Sequence, residues 1–131
     1  DLVVLVADDS AVARNQVKRA LTSIGIKVEL VNDGKLALDW LNAKAAELGG
    51  DISAKVPLLI SDIEMPEMDG YTLTAEIKAD PLLRNMHVVL HSSLSGVFNE
   101  AMVKKVGADQ FIAKFHPDEL VSAVQKWMTA D

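Results

Sequence analysis

The chain contains no cysteine and few aromatic residues, and each shortage excludes a class of structure. Without thiols there is neither a disulfide framework nor a thiolate metal site, so we expect a reducing compartment, the cytoplasm. Aromatic residues make up 5% of the 131 residues, whereas half of the residues are apolar. The core must therefore be built from aliphatic side chains, which favours a single α/β domain.

Long apolar runs and basic stripes are also missing. No apolar run approaches the ~20 residues that span a bilayer, and the first residues lack the pattern of a signal peptide. The net charge is −6, and the basic pairs Lys18-Arg19 and Lys104-Lys105 stand apart from each other. We therefore expect no membrane insertion and no nucleic-acid partner.

Short apolar segments alternate with amphipathic ones along the chain. The predicted strands cover 2–7, 26–30, 56–61, 86–91 and 109–113, and the predicted helices cover 11–24, 38–48, 71–79, 96–106 and an apolar stripe over 120–128. Regular alternation with right-handed crossovers produces a parallel sheet covered on both faces. Ligands of such sheets bind beyond the carboxyl ends of the strands, so the functional residues are expected there.

Polar residues directly follow four of the predicted strands: Asp8 and Asp9, Asp62, Ser92, and Lys114. These residues would meet at one edge of the sheet. Carboxylates crowded within several ångströms repel each other by ~1–4 kcal/mol per pair, so the cluster requires a cation or protonation. Hard oxygen ligands favour Mg²⁺.

Several of these residues also have an ordinary structural explanation. Asp9 or Ser10 could cap the first helix, and Ser92 or Lys114 alone is uninformative. Asp62 is separated from the next helix, so it has no evident capping role. The three histidines are interpreted as structural because their spacing offers no convergent metal geometry: His87, His91 and His116.

Four motifs occur in order along the chain: Ala7-Asp8-Asp9-Ser10, a D-x-x-M-P-x-x-D-G run over 62–70, the pair Ser92-Ser93, and Lys114. Together they resemble the motifs of CheY-like receiver domains of response regulators. The resemblance covers the whole chain. It implies a flavodoxin-like, doubly wound sheet of five parallel strands in the order 2-1-3-4-5 with five helices.

The resemblance implies that Asp62 takes a phosphoryl group from a histidine kinase. Lys114 would offset the added negative charge, and Ser92 would donate its hydroxyl to a phosphoryl oxygen. Phe111, in the fifth strand, would couple the position of Ser92 to the surface of the last helices. The chain would then be a signalling switch and not an enzyme.

The resemblance also implies a Mg²⁺ site. Asp9 and Asp62 would bind the ion directly, Asp8 would act mainly through water, and the main-chain carbonyl of Glu64 would complete the protein ligands.

Two features depart from the common family pattern. The lysine is followed by Phe115 where the family usually has a proline in a cis bond, so either the bond is cis at a cost of ~3 kcal/mol or the loop runs differently. In the family, the residues two positions after the acceptor and two positions after the hydroxyl residue tune how water reaches the acyl phosphate. Here these residues are Glu64 and Leu94, a pairing that indicates no clear rate of dephosphorylation.

The segment 91–96, the pair Lys114-Phe115 and the long second helix resemble most closely the receiver domains of CheV-type chemotaxis coupling proteins. In that group a CheW-like adaptor domain precedes the receiver. The resemblance implies that residues 1–131 are one receiver domain from a longer chain. Its partners would be a CheA-like kinase, chemoreceptors and coupling proteins.

Three other interpretations remain open. A phosphohydrolase with an aspartyl intermediate is disfavoured because dehalogenase-like enzymes use D-x-D, whereas Asp8 and Asp9 are adjacent. A degenerate receiver that acts only as a binding module would follow if the residue after Lys114 disturbs the lysine. Flavin binding is disfavoured because acids after the first strand would repel a cofactor phosphate.

Overall fold

The computed structural model describes residues 2–93 and 99–129. The strands are β1 Val3–Ala7, β2 Lys27–Val31, β3 Leu58–Ser61, β4 His87–Ser92 and β5 Gln110–Ala113. The helices are α1 Ala11–Thr22, α2 Gly34–Leu48, α3 Gly70–Ala79, α4 Glu100–Val106 and α5 Pro117–Met128.

All paired strands run parallel, in the order β2-β1-β3-β4-β5. This order confirms the predicted flavodoxin-like sheet. The apolar strands β1, β3 and β4 are the inner ones, whereas β2 lies at an edge and has exposed residues at Lys27 and Glu29. Apolar and charged residues alternate along β2, which is the pattern expected of an edge strand with one face in solvent.

Helices cover both faces of the sheet and bury two aliphatic layers. One layer joins the sheet to α2, α3 and α4, with its helix side chains from Ala37, Leu41, Leu73, Ile77 and Val103. The other joins it to α1 and α5, with helix side chains from Val17, Leu21, Leu120 and Val124. Within the final helix, Trp127 and Met128 pack against the second layer as predicted, whereas Val121 is only half-buried.

Polar side chains fix the start of four helices. Ser10, Asp33, Asp69 and Asn99 each accept a hydrogen bond from the backbone N–H three residues later. Because Asp33 caps α2, that helix begins at Gly34 and not at the predicted start, residue 38. Helix α4 begins at Glu100, so the predicted start at residue 96 lies outside the described residues.

Other boundaries differ from the prediction by a few residues. Helix α1 ends at Thr22 instead of residue 24, and β4 extends through Ser92 instead of ending before it. The connection over 51–55, predicted to be polar, contains a 3-10 turn, Ile52–Ala54, in which Ile52 is fully buried. The N–H of Ile52 donates to the carbonyl of Leu82, which ties this turn to the loop before β4.

Candidate functional site

Three carboxylates converge at the carboxyl edge of the sheet. Asp8 and Asp9 follow β1 and Asp62 follows β3, and these strands are neighbours with Ala7 paired to Ser61. One carboxylate oxygen from each aspartate lies within 4.8 Å of the others. Asp8 and Asp62 are buried, whereas Asp9 is exposed, so the group opens to solvent on one side.

The lysine after β5 reaches this acidic group. Lys114 Nζ lies 3.0 Å from Asp8 Oδ2 and 3.3 Å from Asp62 Oδ2. Burial by itself would lower the pKa of Lys114, but hydrogen bonds and charge from Asp8 and Asp62 outweigh burial and raise that pKa above 10.5. The ammonium group therefore remains charged between the two carboxylates.

The loop after β1 is held by its own backbone and by an arginine. The N–H of Ser10 donates to Asp8 Oδ1 at 2.9 Å, and the Ser10 hydroxyl caps α1 by accepting from Ala13 N–H. The cap is thus Ser10, and Asp9 is not needed for it. The guanidinium of Arg14 donates to the main-chain carbonyl of Asp8 at 2.7 Å.

Sequence reasoning missed Arg14. A basic residue in the first turn of a helix is usually a solvated charge. The one feature of the sequence that could have indicated the contact is that Arg14 lies about one helical turn after the acidic pair. This contact fixes the main chain from which two of the three carboxylates extend.

A tight backbone crossing holds the loop that contains Asp62. Asp62 Oδ1 accepts from the N–H of Ile63 at 2.8 Å, and the N–H of Gly70 donates to the carbonyl of Ile63 at 2.7 Å. A Cβ atom at Gly70 would lie 2.2 Å from the main-chain oxygen of Asp62. Glycine is therefore required at this position for the start of α3 to pack against the main chain of Asp62.

The donor set suits a divalent cation. The three carboxylates supply hard oxygen ligands, which Mg²⁺ prefers, and the exposed side at Asp9 leaves room for water ligands. Lys114 compensates only part of the charge of three acids. The residues present fit the predicted Mg²⁺ site at Asp8, Asp9 and Asp62, which is typical of receiver domains. Glu64 lies exposed in the loop after β3, and the role of its carbonyl stays a prediction.

Ser92 and Phe111, the predicted switch residues, lie on the adjoining strands β4 and β5. Ser92 is the buried last residue of β4, and its carbonyl accepts from the N–H of Lys114 at 2.9 Å. Phe111 is half-buried, pairs in register with Leu90 and packs against the core layer beneath α2, α3 and α4. The phosphate-binding role of Ser92 and the switching role of Phe111 stay predictions.

The loop after Lys114 takes the second of the two predicted courses. No cis peptide bond occurs in residues 2–93 and 99–129, and Phe115 instead has a left-handed backbone with φ of 67°. Its side chain is 61% exposed. Lys114 nevertheless contacts both acids, so the missing proline does not displace the lysine.

The histidines lie apart from the acidic group's ligand atoms. His87 Nδ1 lies 3.3 Å from Asp109 Oδ1, and its ring contacts Trp127 with centroids 4.7 Å apart. His91 is buried, and burial, followed by the charge of Lys114, lowers its pKa to about 4. His116 precedes α5. The metal-ligating group found among the described residues consists of aspartates alone.

A five-stranded parallel sheet of order 2-1-3-4-5 with an aspartate trio and a lysine at its carboxyl edge defines a receiver domain. Residues 4–125 match the family model described as "Response regulator receiver domain". The chain belongs to this family, whose members are signalling switches.

Curated relatives include chemotaxis proteins. The chain is 30% identical over 123 residues to chemotaxis protein CheV3 of Helicobacter pylori, with 94% of this chain and 40% of that protein covered. It is 34% identical over 125 residues to protein PilG of Pseudomonas aeruginosa, with 95% of this chain and 85% of that protein covered. The chain thus spans about two fifths of the length of its CheV relative.

Solved structures show the same fold. A receiver domain of a signal transduction histidine kinase from Syntrophus aciditrophicus superposes with a TM-score of 0.84 at 31% identity, covering 98% of this chain and 91% of that one. Chemotaxis protein CheY4 of Vibrio cholerae superposes with a TM-score of 0.78 at 28% identity, covering 96% of this chain and 98% of that one. Among the described residues, no helix combines the length and apolar character that crossing a membrane requires.

Proposed function

We propose that this chain accepts a phosphoryl group from a histidine kinase on Asp62 and thereby switches a protein-interaction surface. The observation that carries the proposal is the contact of Lys114 Nζ with both Asp8 and Asp62 beside an exposed Asp9. Such a site can neutralise the charge of an added phosphoryl group while leaving one side open to the donor.

In the proposed reaction a carboxylate oxygen of Asp62 attacks the phosphorus of a phosphohistidine on the kinase. The new P–O bond forms as the P–N bond breaks, and the imidazole leaves with the electron pair. A Mg²⁺ ion held by Asp8, Asp9, Asp62 and the Glu64 carbonyl would neutralise charge on the phosphoryl oxygens. Lys114 would hold a further positive charge at the same oxygens.

The switch would depend on Ser92 and Phe111. A hydroxyl that moves toward a phosphoryl oxygen gives the phosphorylated state a contact that the unmodified state lacks, which is the differential interaction a population shift requires. Ser92 ends β4, and Phe111 lies on neighbouring β5 in register with Leu90, so movement of Ser92 would need to free space for the Phe111 ring. The surface that changes would be that of α4, β5 and α5.

The biological setting we propose is bacterial chemotaxis of the CheV type. The relatives named CheV3 and CheY4 support this setting, and the partial coverage of CheV3 is consistent with a receiver that forms part of a longer protein. A CheW-like adaptor domain would precede it, the kinase would be CheA-like, and the other partners would be chemoreceptors and coupling proteins. The location would be the cytoplasm.

Transfer from a kinase tests the proposal directly. A CheA-like kinase domain is phosphorylated with labelled ATP, freed of nucleotide and mixed with this chain or with Asp62→Asn. We expect label to leave the kinase only with the unsubstituted chain and to appear on it or as released phosphate. If the kinase keeps its label although the two proteins bind, the chain is a degenerate receiver. Rapid turnover of phosphate esters would indicate the phosphohydrolase instead.

A further inference from the structure

A second cavity lies on the face of the sheet covered by α1 and α5. It is bounded by α1, by the segment that follows Lys114 and by the start of α5, and its volume is about 410 Å³. We call it the α1–α5 pocket. Cavities of roughly 300–1,000 Å³ are the usual size for small-molecule sites. Val17, Ala20 and Leu120 supply apolar lining, of which Val17 and Leu120 are buried.

The titratable residues of the pocket are all basic. They are Arg19, His91 and His116, and no carboxylate lines the cavity although the chain carries a net charge of −6. Within the described part of the chain, Arg19 has no carboxylate within ion-pair distance. An exposed guanidinium at the edge of an apolar cavity suits a ligand with one anionic group and an apolar body.

A polar group also lines the cavity from within the sheet. His91 belongs to β4 and is 5% exposed, and burial lowers its pKa to about 4. Its imidazole is therefore neutral near pH 7 and can donate or accept a hydrogen bond. Apolar walls with a few convergent polar groups are the common composition of small-molecule sites.

Phe115 lines the same pocket and gives it an aromatic surface. The ring is largely exposed, and the backbone has a left-handed φ of 67°, a conformation that non-glycine residues seldom adopt. Strained residues of this kind occur disproportionately at ligand-binding positions. An exposed aromatic ring beside Arg19 can stack against a planar ligand.

We propose that the α1–α5 pocket binds a small aromatic carboxylate, whose ring packs against Phe115 and Val17 and whose carboxylate pairs with Arg19. A ligand of this class matches the volume, the apolar walls and the basic lining of this open pocket. Binding does not require phosphorylation of Asp62, so it stands or falls separately from the proposed function.

Cinnamate and its neutral analogue cinnamamide test the proposal by NMR titration of the isotopically labelled full chain. We expect cinnamate to shift backbone amides of 16–23, His91, 115–116 and 118–120, and cinnamamide to bind about tenfold more weakly because the charge-assisted bond is lost. Arg19→Gln should weaken cinnamate by about tenfold and leave cinnamamide unchanged. Lys18→Gln, the neighbouring exposed lysine outside the pocket, should change neither.

A second variant tests the aromatic wall. Phe115→Gly relieves the left-handed backbone and removes the ring, so it should weaken both compounds without lowering the melting temperature. The proposal is overturned if cinnamate causes no shifts, if the shifts lie elsewhere, or if cinnamamide binds equally well. It is also overturned if Lys18→Gln weakens cinnamate as much as Arg19→Gln does, because the effect would then be one of net charge.

Discussion

Lys114 Nζ lies 3.3 Å from Oδ2 of Asp62, although the two residues follow strands that are not neighbours in the sheet. Lys114 follows β5 and Asp62 follows β3, and β4 lies between them. The long lysine side chain reaches across the end of β4 to Asp62. This cross-sheet contact joins Asp62, the proposed phosphate acceptor, to the end of the strand on which Phe111 lies.

Loss of the lysine should destabilise the fold when no metal is bound. Lys114→Met leaves buried acids without their cation, so we expect the free energy of unfolding in chelator to fall by about 2 kcal/mol. Mg²⁺ should restore part of the loss. Urea unfolding with chelator and with Mg²⁺ measures both effects, and Lys104→Met, at an exposed position, is the control. A variant as stable as the unsubstituted chain would show that the contact contributes little.

The stabilising contribution of Lys114 should be lost at strongly alkaline pH. The pKa of Lys114 is raised above 10.5 in the folded state, so its stabilising contribution is complete below 10.5 and is lost as the pH rises through the folded-state pKa. The stability difference between the unsubstituted chain and Lys114→Met should therefore shrink under strongly alkaline conditions. A difference that stays constant there would contradict the raised pKa.

Acid should destabilise the protein partly through His91. Its pKa is about 4 in the folded state against 6.5 for a free histidine, so the unfolded chain takes up a proton first as the pH falls. Stability should be complete above pH 6.5 and decline by at most about 3 kcal/mol as the pH approaches 4. Comparing the pH dependence of urea unfolding for the unsubstituted chain and His91→Leu isolates this part. Parallel curves for the two proteins would show that His91 is not the source.

Any side chain at position 70 should destabilise the protein because the backbone of Asp62 lies so close to Gly70. In Gly70→Ala the new methyl group would collide with the main-chain oxygen of Asp62, so we expect the free energy of unfolding to fall by about 1–3 kcal/mol and the loop after β3 to be displaced. Gly50→Ala is the matched control because a Cβ there meets nothing within 4 Å. It should be neutral or slightly stabilising. Equal stability of the two variants would disprove the close approach.

Arg14 should support metal binding without contacting the metal. Removal of its hydrogen bond to the Asp8 carbonyl frees the loop that presents Asp8 and Asp9, so Arg14→Ala should weaken Mg²⁺ binding by about tenfold. NMR titration of backbone amides with Mg²⁺ gives the affinity. Lys18→Ala, one turn further along α1 and exposed, controls for lost positive charge. If both variants weaken binding equally, long-range charge accounts for the effect.

Most of the fold could be predicted from the sequence because the inner strands are apolar and because capping residues and glycines mark where helices begin and end. Asp8, Asp9, Asp62 and Lys114 could be placed together since each directly follows a strand of a parallel sheet. The strand order itself came from the family resemblance and not from periodicity.

The remaining differences have local physical causes. Ile52 lies in a polar stretch, and only tertiary packing reveals that it is buried. Gly34 reads as a turn residue, yet it begins α2 where a Cβ would lie 2.2 Å from the Met68 carbonyl oxygen. The hydrogen bond of Arg14 and the left-handed backbone of Phe115 depend on loop geometry, which residue type alone does not specify.

The most direct test of the central claim is the intact mass of the chain after incubation with a small phosphodonor and Mg²⁺, compared for the unsubstituted chain, Asp62→Asn and Asp39→Asn. Asp39 is an exposed acid on α2 and serves as the control. The unsubstituted chain and Asp39→Asn should each gain one phosphoryl group, and Asp62→Asn should gain none. A phosphoryl group that persists on Asp62→Asn, or that never appears on the unsubstituted chain, would contradict Asp62 as the acceptor.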